Sequence, residues 1–302
     1  AGEELRFILT ASHVDQSDNT AYSYSPLNGN SIFPTSVAAT LGRTDKRKVS
    51  LNAHPYNQLR LTTASLNIDW SGDWGKIAST SAYAKTSFPF LTDVDGTEVD
   101  LQIFEADPQT TKTVSQEVIY TSPDIGALSF TGGVFYLAEK SHTDADISSF
   151  GTVVFPPDVF SKANAFSAFL EGTFDITDQL HLTAGGRYST EKKKIKTFFG
   201  NGGPLVVDAN KRFSDFTPAA SLLYDLSPRS SVYLSYSEGF KSGLFDGGNL
   251  GDCPVVGPTC PFEGTPVQPE KVKSYEGGFK YNSGGTVISL AGYYTDYRNI
   301  QV

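Results

Sequence analysis

Carboxylates, histidines and cysteines are the groups in this chain that could hold a metal, move a proton or form a covalent bond. Their spacing decides among these. Asp93, Asp95, Gly96, Glu98 and Asp100 alternate somewhat as in a calcium loop. A calcium cage of that kind also needs an aspartate at its first position and a distal bidentate glutamate. Both are missing, so a solvated acidic loop is the plainer reading. The four histidines, at positions 13, 54, 142 and 181, include no pair spaced two or four apart that would favour metal ligation. No nucleophile motif such as G-x-S-x-G occurs. The glycine-rich GNGGP and GGNLGD have no helix after them to complete a phosphate cradle. No catalytic residues, resident metal or cofactor are expected, and the chain reads as a protein that is not an enzyme.

The two cysteines, Cys253 and Cys260, lie in CPVVGPTC. An isolated, close pair surrounded by Pro and Gly reads as a local disulfide, with two unrelated thiols as the alternative. Such a ring would stabilise the fold by about 2–3 kcal/mol in the chain-entropy picture and would imply an oxidising compartment. Zinc would need two further ligands, and no histidine lies in that loop.

Five more charged residues, Glu171, Arg187, Lys241, Glu276 and Lys280, belong to a different pattern, one of strict alternation. In LHLTAGGRYSTE, Leu180, Leu182, Ala184, Gly186 and Tyr188 face one way, and His181, Thr183, Arg187, Ser189 and Glu191 the other. In AFSAFLEGTF, Phe166, Ala168, Leu170 and Phe174 oppose Ser167, Glu171 and Thr173. In SVYLSYSEGFKSG, Val232, Leu234, Tyr236 and Phe240 oppose Ser235, Ser237, Gly239 and Lys241. In VKSYEGGFKY, Tyr275, Phe279 and Tyr281 oppose Ser274, Glu276 and Lys280. Period two over such lengths means strands, because successive side chains point to opposite faces. These runs are about twice the usual strand length of roughly 5–6 residues. Their second face is small and polar, as if it bordered water. Long strands with an apolar outside and a wet inside suit an antiparallel transmembrane β-barrel.

The rest of the chain agrees. Tight turns centre near Gly72, Asp124, Thr177, Pro228 and Gly284, a recurrence of about 50–55 residues. Between them, residues 87–112, 140–162, 193–211 and 242–269 read as long loops. Short turns on one side and long loops on the other is the asymmetry of outer-membrane barrels, periplasmic against extracellular. Trp70, Trp74, Tyr120, Phe174 and Tyr224 near the turns would form an interfacial girdle. No run of about 18 apolar residues exists, which excludes a spanning helix but not a barrel. The formal charge of −9 argues against nucleic acid as a partner. The basic run Lys192 to Lys196 could meet anionic lipid headgroups or form a solvated loop. About eleven strands can be counted, an odd number where bacterial single-chain barrels usually have an even one. With no methionine at position 1, the chain reads as a piece of a longer protein.

From Val114 onward the stretches VSQEVIYTSP, FTGGVFYLAEK, AFSAFLEGTFDITDQLHLTAGGRYSTEKK, FSDFTPAASLLYDLSPRSSVYLSYSEGFKSG and PEKVKSYEGGFKYNSGGTVISLAGYYTDYRNIQV resemble the barrel of TonB-dependent outer-membrane receptors. That resemblance implies a 22-stranded barrel plugged by a folded domain, of which residues 1–302 would supply about half, without the plug. It implies a place in the outer membrane of a Gram-negative bacterium, in contact with outer-membrane lipid. It further implies coupling to the TonB energy complex through the missing plug, and uptake of a scarce solute. A ferric siderophore or other metal chelate, an oligosaccharide or a cobalamin are the candidates. The five lumen-face charges would then pair with one another or with the plug, or else touch the ligand. A passive porin-like or adhesive outer-membrane barrel is the alternative.

Overall fold

The computed structural model describes residues 4–19, 51–94, 96, 100–245 and 266–301. Cys253, Cys260, Asp95, Glu98, GGNLGD and most of 242–269 lie outside the described residues. Every described element is a strand or the turn that joins two strands. The strands are β1 (Glu4–Asp18), β2 (Tyr56–Gly72), β3 (Gly75–Ser87), β4 (Phe90–Asp93), β5 (Ile103–Thr121), β6 (Leu128–Ser149), β7 (Thr152–Phe155), β8 (Pro157–Thr177), β9 (Leu180–Phe199), β10 (Leu205–Ser227), β11 (Ser230–Lys241), β12 (Glu270–Ser283) and β13 (Thr286–Arg298). They form one 13-stranded sheet, in which eleven long strands follow one another in chain order. The short β4 pairs with β2 and β5, and the short β7 with β6. The eleven strands expected from the alternation are all present.

Neighbours pair antiparallel because short turns, two residues long at β2–β3, β8–β9, β10–β11 and β12–β13 and six at β5–β6, leave no room for a crossover. Gly284 and Gly285 make the β12–β13 turn with φ of 49° and 109°, backbone that a side chain would strain. The opposite ends differ from expectation. Residues 140–162 and 193–211, read as loops, are mostly strand, with tips near Phe150–Gly151 and Asn201–Pro204. A barrel strand needs only about 9–11 residues to cross a bilayer, whereas β8 has 21 and β10 has 23. The excess continues as β-hairpins past the apolar band. These segments look like loops in sequence because they lose the apolar half of the alternation once they leave hydrocarbon.

The two faces of the sheet are chemically distinct. One carries Leu9, Leu66, Tyr136, Phe166, Leu182, Leu222, Leu234, Phe279 and Leu290 in cross-strand register or two steps from it. Leu9 is 77% exposed, Leu234 66% and Leu290 65%. Only four hydrophobic side chains among the described residues are buried: Ala106, Ala145, Ile195 and Phe213. A water-soluble chain of this size would bury most of its apolar area inside. Here that area lies bare in a band, as a hydrocarbon solvent requires. Polar side chains interrupt it in places, as where Glu238 meets Lys273 at 3.0 Å beside Tyr236 and Tyr275. On β3 and β5, Ser79, Ser81 and Gln116 point into the band, and they satisfy one another. Ser81 donates to Gln116 Oε1, whose Nε2 donates to Ser79 at 2.9 Å. At the short-turn end three of the five aromatics expected in the girdle follow one another, Trp70 to Trp74 (4.7 Å between centroids) to Tyr120 (6.3 Å), and Phe130, not expected there, extends the series (5.7 Å).

Candidate functional site

Two regions gather chemistry: the polar face of the sheet and the hairpins beyond the band. All five charges singled out in the sequence lie on the polar face. Arg187 donates to Ser167 and, at 3.3 Å, to Ser189, and its guanidinium sits 5.9 Å from the Phe169 ring centroid. Glu171 sits one diagonal away, since Phe169 pairs with Arg187 and Glu171 with Gly185, yet the two form no ion pair. Lys241 reaches Glu270 at 4.0 Å, at the opposite end of the strand from Lys280.

Glu276 and Lys280 are brought together by a residue that alternation alone does not single out. Tyr233 pairs with Gly278, and its ring lies where a Cβ on Gly278 would be. From there its hydroxyl donates to Glu276, while the Lys280 ammonium stands 5.2 Å from the ring centroid. A large side chain laid over a cross-strand glycine fills the gap that the glycine leaves in the sheet surface. The signal available in the sequence was a tyrosine on the serine side of SVYLSYSEG. Its glycine partner became visible only with the register.

Beyond the band, backbone and side-chain bonds tie the hairpins together. Phe150 N–H donates to Asp100 O at 3.1 Å, Gly200 N–H to Pro156 O at 2.6 Å, and Ser149 Oγ to Leu101 O at 2.7 Å. Asp93, from the acidic run, is buried and accepts the Gly96 N–H at 2.8 Å. Such a bond closes a turn and supplies no cage. Among the described residues no group of three His, Cys, Asp or Glu side chains is placed to hold a metal ion. The histidines are used separately. His142 Nε2 lies 2.7 Å from Asp158 and its ring stacks on Phe160 at 4.1 Å. His181 lies between Asp175 and Asp225 at the short-turn end, and His13 bonds Thr62.

The hairpin acids and phenols are tuned by their surroundings. Burial, and then donation to Glu105 at 2.9 Å, pushes the Tyr56 phenol up to about 12. Burial, reinforced by the Asp158 and Asp146 carboxylates, raises Asp144 above the ordinary carboxylate range. A bond from Lys196, with Lys194 also nearby, lowers Asp208. The result is a polar, hydrogen-bonded surface presented to the medium at the end of a rigid wall, suited to recognition.

An open-ended antiparallel sheet with a bare apolar band, an aromatic girdle at the short-turn end and polar hairpins at the other is the wall of an outer-membrane β-barrel. Residues 6–302 match the family described as TonB dependent receptor-like, beta-barrel; the chain belongs to that family, whose barrels lie in the outer membrane of Gram-negative bacteria. A curated relative, the ferric-pyoverdine 358 receptor of Pseudomonas putida, is 32% identical over 112 residues, covering 37% of this chain and 12% of the relative. Among solved structures, the ferric yersiniabactin uptake receptor of Yersinia pestis superposes with a TM-score of 0.68 at 17% identity, over 83% of this chain and 38% of that one. The ferric-catecholate import receptor Fiu of Escherichia coli K12 gives 0.64 at 16% identity, over 97% and 49%. At these identities the superpositions speak for the fold alone. The chain spans less than half the length of the receptors it matches.

Proposed function

We propose that this chain forms part of the wall of a receptor that takes up a scarce solute across the outer membrane, powered by the TonB system, and that the solute is a metal chelate such as a ferric siderophore. The family match over nearly the whole chain carries this reading, and the identity to a ferric-pyoverdine receptor narrows the solute class. In this reading a plug domain and further strands come from the rest of the protein. β1 and β13, each paired on one side only within the sheet, then continue into those strands. The hairpins capture the solute, and Glu171, Arg187, Lys241, Glu276 and Lys280 line the lumen against the plug. A rigid wall is what such a mechanism needs, because the plug must move while the barrel does not.

The test is uptake of radio-iron as a panel of ferric chelates by cells with and without the intact receptor. One chelate is expected to enter only when both the receptor and a proton gradient are present. Entry at an unchanged rate after the gradient is collapsed would instead mark a passive pore.

A further inference from the structure

The register of the sheet places five lysines side by side on the outside of the barrel. Lys85 on β3 pairs with Lys112 on β5, Lys112 with Lys140 on β6, Lys140 with Lys162 on β8, and Lys162 with Lys194 on β9. One row nearer the bilayer, Lys192 pairs with Arg212 of β10. All of them share the face of the apolar band. Tyr83 and Val114 stand two residues below Lys85 and Lys112, and Tyr136 and Phe166 four below Lys140 and Lys162. We infer that this lysine row is a binding surface for anionic lipid headgroups of the outer leaflet.

Height supports the assignment. Lys85 is ten residues beyond Gly75 and Lys194 fourteen beyond Leu180. At roughly 3.3 Å per residue and a tilt of about 40°, those are heights of about 25 and 35 Å above the short turns, against an apolar band about 25 Å tall. The row therefore starts at the upper edge of the band and climbs through the headgroup layer. Long lysine stems can lie along apolar surface while their ammonium groups reach the headgroups.

Charge supports it as well. Like charges directly opposite across two strands repel, and here four such contacts follow in succession. Several cations elsewhere are neutralised by acids. Lys76 and Arg6 share Asp69, Lys271 holds Asp215 at 2.7 Å, and Lys273 holds Glu238 at 3.0 Å. Lys85, Lys112, Lys140 and Lys162 are exposed and, among the described residues, form no ion pair. Lys194 alone in the row has one, with Asp208 at 3.5 Å. Acids are not scarce in a chain of net charge −9, but on these strands Glu117, Glu139, Glu171 and Glu191 take the opposite face, and Asp144, Asp158 and Asp208, which share the lysine face, stand farther from the bilayer than the row. A row of five cations, four of them without an ion pair among the described residues, directly above a hydrocarbon-facing band, fits an amphiphile whose head is anionic and whose tail lies beneath. A soluble anion would have no use for the band.

The test compares the intact receptor with the triple variant Lys112→Gln, Lys140→Gln, Lys162→Gln. A second variant of equal charge loss, Lys76→Gln, Lys211→Gln, Arg229→Gln, serves as control. Each is placed in nanodiscs of zwitterionic lipid containing a trace of lipopolysaccharide or phosphatidylglycerol, and the retained anionic lipid is counted by native mass spectrometry. No transported solute is present, so the outcome does not depend on the uptake reading. The row variant is expected to retain about tenfold less anionic lipid or lower, as loss of three lysines at an anionic surface implies, while the control retains nearly all. Equal retention by the two variants would overturn the inference. So would competition by inorganic phosphate as effective as that by lipid. Should the triple variant fail to assemble, the single Lys140→Gln and the triple Lys→Arg variants replace it. Arginine must keep the lipid and the single glutamine must lose part of it, and equal retention by these two overturns the inference.

Discussion

At the scale of single residues, the difference between the two faces can be measured with neighbours in sequence. Leu170 points into the apolar band and is 59% exposed, while Glu171 points to the polar face. Leu170→Arg is expected to cost about 2–4 kcal/mol and Glu171→Arg less than about 1 kcal/mol, because a cation is expensive only where lipid surrounds it. Leu182, two residues from its turn, should show a smaller penalty than Leu170, since the cost fades toward the interface. Denaturant unfolding of the receptor refolded into vesicles gives all three values. Comparable costs at Leu170 and Glu171 would mean that the band does not touch hydrocarbon. Gly278 offers a second measurement. Gly278→Val would push the Tyr233 ring off the sheet and part it from Glu276 and Lys280. A loss of about 1–3 kcal/mol is expected from the overlap, with restoration by Tyr233→Ala in the same chain. The same unfolding assay reads both.

At the scale of elements, the hairpins beyond the band behave as small water-exposed sheets with their own balance of charge. Asp144 of β6 stands well past the band, half-buried, with Asp158 and Asp146 near it. Its carboxyl is raised in the folded hairpin, so the folded form binds the proton more tightly than the unfolded form. The hairpin is then least stable above the raised value. It gains stability as pH falls through that value toward the ordinary carboxylate range near 4. Asp144→Asn should remove this dependence and strengthen the β6–β8 hairpin at neutral pH. Amide exchange across residues 140–162, followed from pH 7 to about pH 4, reads the effect; slower exchange at pH 7 in the wild type than in the variant would contradict it. The neighbouring β9–β10 hairpin carries the opposite case. Asp208 is lowered by Lys196 and Lys194, and acid should loosen that hairpin where it tightens the other.

At the scale of the whole sheet, these strands draw little stability from an apolar interior of their own, since almost no apolar side chain among the described residues is buried. Their stability comes from the ladder of backbone bonds and from the bilayer, which replaces the core as the place where apolar surface leaves water. The few buried apolar residues, among them Ile195 and Phe213, sit where the hairpins rise out of the membrane and must supply a small core of their own. In the uptake reading proposed above, function follows the same division, with a wall embedded in lipid and a watery end where recognition can vary.

Alternation along each strand is local chemistry, so the strands, their two faces, the short turns and the girdle at Trp70, Trp74 and Tyr120 could be read from the order of the amino acids alone. The five polar-face charges were legible for the same reason. The hairpins at 140–162 and 193–211 were not, because outside hydrocarbon a strand no longer needs an apolar face and its composition resembles a loop. Nor were the pairs across strands. Which side chain meets which depends on turn length and on the irregularities at Ala106/Gln109, Asp175/Thr177 and Asp225/Ser227, and a slip of one residue would turn every side chain to the other face. Tyr233 over Gly278, and Lys85, Lys112, Lys140, Lys162 and Lys194 in one row, are separated by tens of residues in the chain. Only the folded sheet makes them neighbours.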